Sequence, residues 1–103
     1  NDPAMSELFR ALAEQLLKAP VESDADRLDY SFRICLGRRP TQLELARLLE
    51  FCDHQRRHFV GDQQAARTVT GKFSMTGVAR EEFAVWFTVA RLLFNLDEFV
   101  TRE

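Results

Sequence analysis

Between Arg80 and Phe94 the chain is apolar on almost every side of a helical wheel: Phe83, Val85, Trp86, Phe87, Val89, Leu92, Leu93 and Phe94. A helix with no polar face must be covered by several neighbours. This run is therefore predicted to be the central helix of a bundle, and the rest of the chain must supply helices to surround it.

Local signals place those helices. Asp2 followed by Pro3 reads as a cap and first helical position. Met5, Leu8, Phe9, Leu12 and Leu16 then recur at spacings of three and four and are expected on one buried face. Ala19-Pro20 ends that helix, since the residue before proline disfavours the α region. Ser23 or Asp24 opens a second helix, with Ala25, Leu28, Phe32, Cys35 and Leu36 on its apolar face and Gly37 as its stop. Thr41 and Glu44 form a capping-box pattern that starts a third helix directly after Pro40. Its stripe is Leu45, Leu48, Leu49, Cys52 and Phe59, and it is expected to end at His58 or Phe59, before Gly61. Residues 60–79 hold three of the four glycines and read as irregular, with a short helix over 63–68 and some extended structure around Lys72-Phe73-Ser74-Met75. Asn95 and Glu98 repeat the capping-box spacing, so the last helix either breaks at Asn95 or continues through Phe99. The expected fold is all-α: a compact bundle of four main helices, with an irregular loop before the last, central helix.

Length and composition agree. The 103 residues suffice for one domain, read here as a piece of the C-terminal part of a longer protein. Hydrophobic residues at 46% and charged residues at 29% suit a globular chain with a packed core. A net charge of −2 provides no general drive toward nucleic acid or an anionic membrane, and no apolar run approaches the roughly 20 residues of a membrane span. Cys35 and Cys52 are expected as two buried free thiols. In a hairpin turning near Arg39 they would be offset by roughly 13 Å, and a disulfide needs Cα atoms within about 7 Å.

Few residues suggest chemistry. His54 and His58 share a helix face beside Asp53, which is half a metal site, but Gln55 stands where a metalloprotease helix needs Glu and no third ligand is evident. They are read as a solvated face. Arg56, Arg57, Arg67 and Lys72 make a basic segment, either anion-contacting or simply solvated, without the interleaved aromatics of a nucleic-acid platform. Arg38, at the turn before Pro40, is expected to pair with Glu44 or Glu98 as a structural ion pair. Trp86 is expected in the core. There is no haem-attachment, phosphate-loop or dinucleotide pattern, so no catalytic, cofactor-binding or metal residue is assigned.

Tyr30 with Arg33, then Leu36-Gly37-Arg38-Arg39-Pro40-Thr41-x-x-Glu44-Leu45, and Trp86-x-x-x-Ala90-Arg91-Leu92-Leu93-Phe94-Asn95-Leu96-Asp97-Glu98-Phe99 resemble the C-terminal part of the family called domain of unknown function 1553. The resemblance covers nearly the whole chain. It implies a large exported protein of planctomycetes and related bacteria, at the periplasm or cell envelope, often with a cytochrome-c-like domain elsewhere. It assigns no catalytic residue. The expectation is a structural or interaction domain whose partners are other domains of its parent chain, with weak self-association. The alternatives are part of an active site completed by upstream domains, with Glu98, Arg38 or His54 contributing, or an anion- or glycan-binding module built on residues 54–80.

Overall fold

The computed structural model describes residues 2–96, and these form five α-helices with no strand among them. In chain order they are α1 (Pro3–Lys18), α2 (Asp24–Leu36), α3 (Gln42–Gly61), α4 (Gln63–Thr70) and α5 (Arg80–Phe94). The short helix expected over 63–68 is a full eight-residue helix, which makes five where four main ones were expected.

Each boundary has a local cause. The Asp2 carboxylate accepts from the Ala4 N–H at 2.9 Å, and Pro3 occupies the first helical position without losing a needed donor. Ser23 caps α2 through the Asp26 N–H, and Gly37 ends it at φ 70°, a left-handed conformation glycine adopts at little cost. The capping box is present: the Glu44 N–H donates to the Thr41 hydroxyl at 3.1 Å, and the Thr41 N–H donates to the Glu44 carboxylate at 2.8 Å. α3 runs through Gly61, beyond the expected stop. What ends it is Asp62, whose backbone leaves the helical region (φ −148°, ψ 87°) while its side chain caps α4 through the Ala65 N–H. α5 stops at Phe94 with Asn95 as its C-cap. The proposed Asn95–Glu98 box falls partly on residues outside those described.

α5 packs against all four other helices. Phe83, Ala84, Val85, Trp86, Phe87, Val89, Ala90 and Leu93 are buried along its length, and Phe32, Phe59, Leu16 and Leu28 close around them. Phe9 meets Phe87 edge-on, with centroids 5.9 Å apart. The segment after α4 carries no strand at residues 72–75. It lays Phe73, Met75 and Val78 against the core instead, Phe73 lying 6.4 Å from Phe87.

One expectation needs correcting. Phe9, Leu12 and Leu16 are buried as the α1 stripe requires, but Met5 and Leu8 are not (36% and 47% exposed). The buried face is Phe9, Leu12, Ala13 and Leu16; Leu8 lies beyond Leu12, on the side of the face away from Ala13, and Met5 stands in the first turn of the helix.

Candidate functional site

The densest polar cluster joins three helices. α3 delivers Arg56 to the junction with α2 and α5. Its Nε and one terminal nitrogen donate to the Glu82 carboxylate at 2.8 and 2.9 Å. Its two terminal nitrogens donate to the Asp24 carboxylate at 3.0 and 3.1 Å. The Trp86 indole N–H donates to Glu82 at 3.1 Å, so the fully buried indole is satisfied by the same carboxylate. Beside it, the Arg27 guanidinium lies 5.5 Å from the Trp86 ring and donates to the Leu16 and Val21 carbonyls at 2.9 and 3.2 Å. Arg27 thus closes the exit of α1 onto α2.

Electrostatics follow from that geometry. Burial alone would raise the Glu82 carboxyl, but the hydrogen bonds from Arg56 and Trp86 outweigh it and hold the group below the ordinary carboxylate range. Its hydrogen bonds to Glu82, opposed by burial and reinforced by those to Asp24, hold the Arg56 guanidinium above its ordinary value. A carboxylate kept ionised by a forked guanidinium is a poor proton donor. A guanidinium with both forks closed has little left to offer a ligand. The arrangement is suited to holding helices in register.

A second cluster fixes the α2–α3 turn. Arg38 grips Glu44 with both terminal nitrogens, at 2.8 and 2.9 Å, and lies 5.3 Å from the Phe32 ring centroid. These bonds, with that from the Thr41 N–H, pull the Glu44 carboxyl down to about 2. Arg39 and Arg33 both reach Asp29, at 2.9 and 3.1 Å. Of the two partners anticipated for Arg38, the structure shows Glu44; Glu98 lies outside the described residues.

The other candidate residues stand apart. Arg57 pairs with Asp53 at 2.7 Å on an exposed face of α3, and Arg67 bonds Gln64 one turn back on α4. Lys72 sits 5.5 Å from the Phe73 ring centroid, at a groove of about 610 Å³ between the start of α1 and the end of α4. Arg56, by contrast, faces its two carboxylates at the α2–α3–α5 junction. His54 and His58 are exposed, and no group of three or more His, Cys, Asp or Glu among the described residues could hold a metal ion. His54 stands ten residues along α3 from Glu44, about 15 Å at 1.5 Å per residue, so the structure does not bring it to the Arg38 pair. Cys35 and Cys52 are free thiols; Cys52 is buried as expected, but Cys35, at the edge of α2 beside α1, is only half-buried. Among the described residues no helix is long and apolar enough to cross a membrane.

Sequence reading missed an apolar groove of about 370 Å³ between α1 and α2. Leu8, Ala11, Leu12 and Gln15 form one wall, Ile34 and Cys35 the other, and Phe94 lies at its end. Leu8 and Ile34, 47% and 41% exposed, are two large exposed apolar side chains that line this groove. The available signal was Ile34, which falls outside the apolar stripe of α2. No protein-family model, curated protein or solved structure matches this chain.

Proposed function

We propose that the chain is a helical interaction domain without chemistry of its own, belonging to a large exported bacterial protein of the domain of unknown function 1553 type. The observation that carries the reading is the closure of Arg56 on Asp24 and Glu82: the strongest polar constellation is consumed in joining α2, α3 and α5. Large apolar side chains meanwhile stand at the surface along α1 and α2. The family assignment and the envelope location are supported by the Arg38-Arg39-Pro40-Thr41 turn with Glu44 and by the Trp86 to Leu96 run.

Turnover assays test this reading. The purified chain, offered ester, peptide and glycoside substrates and small electron donors, is expected to give no turnover. Turnover abolished by both Arg56→Gln and Glu82→Gln in folded protein would overturn the proposal, because it would make the cluster an active site.

A further inference from the structure

Where α2 and α3 meet the end of α5, a small apolar cavity of about 150 Å³ opens to the surface. Phe32, Leu48, Leu92, Leu93 and Leu96 line it, and Glu44 and Arg47 complete the wall. Phe32 and Leu93 are buried, whereas Leu48, Leu92 and Leu96 keep part of their surface in water. A cavity of this size and lining takes up a benzene ring. The chain itself leads there. The Asn95 and Leu96 N–H groups donate to the Leu92 and Leu93 carbonyls at 3.1 and 3.2 Å, a tight turn that sets Leu96 in the cavity wall. Asp97-Glu98-Phe99 follows directly in the sequence. Phe99 is three residues on from Leu96, a span of up to roughly 10 Å for extended chain, so a cavity that Leu96 lines is within its range. Arg47 is exposed and has no ion-pair partner among the described residues. Glu44, the other charge in the wall, is already held by Arg38.

We infer, independently of the interaction-domain reading, that this cavity is filled by the chain's own segment 97–103, with the Phe99 ring against Phe32, Leu48 and Leu93 and the Asp97 and Glu98 carboxylates beside Arg47. The lining asks for an apolar group about the size of an aromatic ring, and the one uncommitted cation at the wall asks for an acid next to it. Asp97-Glu98-Phe99 supplies both within three residues. Covalent connection favours this occupant over a free ligand or a second copy. A segment tethered by a few residues meets the cavity at an effective concentration in the millimolar range, which a separate molecule reaches only when it is abundant. The cavity then belongs to the domain's own core, and its apolar wall is not a surface offered to partners.

Nuclear magnetic resonance of the full 103-residue chain tests this, with benzene as the probe. In the parent chain the Phe99 ring protons should show contacts to the Leu48 and Leu93 methyl groups. Phe99→Ala should keep its helical circular dichroism and open the cavity. Benzene should then shift the Leu48 and Leu93 methyl resonances at concentrations several-fold lower than in the parent. Arg47→Glu should weaken the ring contacts, and Arg47→Glu combined with Asp97→Arg and Glu98→Arg should restore them. Absence of contacts between Phe99 and these methyl groups in the parent chain would overturn the inference. So would benzene uptake by the parent equal to that of Phe99→Ala, which would make the cavity an open site for a separate ligand. Contacts seen only between labelled and unlabelled chains in a mixed sample would give the cavity to a second copy and would equally overturn it. None of these results touches the interaction-domain reading, which turnover by the Arg56 cluster removes.

Discussion

Glu44 shows how far one side chain can serve two purposes. Its carboxylate caps α3 through the Thr41 N–H and receives both terminal nitrogens of Arg38. Its carboxyl lies at about 2 in the folded chain, against an ordinary value of about 4.3 when unfolded. A depressed folded value means that the unfolded state binds the proton first as acid is added. The stability Glu44 contributes is therefore complete above about pH 5 and is lost as pH falls toward 2. Denaturant midpoints measured from pH 7 to pH 2 should fall less steeply in Glu44→Gln than in the parent chain. Cys52 makes the opposite case: burial, with Asp24 adding to it, pushes its thiol up to about 12. A thiol-specific reagent should modify half-buried Cys35 slowly in the native protein and reach Cys52 only on unfolding. Rapid labelling of both thiols would show that the core is not closed around α3. Both residues were legible beforehand, Glu44 from its spacing to Thr41 and Cys52 from its place on an apolar stripe. Both signals lie within a few residues along the chain.

At the level of elements the same locality holds, and so does its limit. Pro3, Ser23, Gly37 and Thr41 punctuate the chain where the helices begin and end, because caps act on backbone groups two to four residues away. Thr41→Ala removes the acceptor for the Glu44 N–H and should cost about 1 kcal/mol, read as a lowered thermal midpoint, with Thr41→Ser close to neutral. Periodicity was weaker evidence than capping. It grouped Met5 and Leu8 with Phe9, Leu12 and Leu16, yet spacing alone does not say where a buried stripe stops and an exposed one starts. Packing against α5 decided that, by burying Ala13 on the side of the face away from Leu8. α4 was under-read for a related reason. The expected helix stopped at Thr68, but Thr70 belongs to it: its hydroxyl bonds the Ala66 carbonyl, as that of Thr68 bonds Gln64, and Thr70 is buried.

For the molecule as a whole, the apolar character of α5 was the strongest guide. A helix without a polar face had to lie at the centre, and all four other helices pack on it. What the sequence could not show was the polar tie between α2, α3 and α5. Asp24 and Arg56 are 32 positions apart, and Arg56 and Glu82 are 26 apart, so no local rule joins them. Arg56 consequently read as one cation of a basic segment rather than as the tie between α2, α3 and α5. Partners removed from such a tie leave charges facing one another without compensation, whereas removing all the charges together is far less costly. This gives the account its most direct test: urea unfolding of the parent chain, Arg56→Met, and the neutral triple variant Asp24→Asn/Arg56→Met/Glu82→Gln, each followed by Trp86 fluorescence and by helical circular dichroism. The two signals should coincide in the parent chain, Arg56→Met should lose about 2 kcal/mol, and the triple variant should recover most of that loss. An Arg56→Met protein that unfolds at the same urea concentration as its parent would contradict the claim that Arg56 is what compensates Asp24 and Glu82 where α2, α3 and α5 meet.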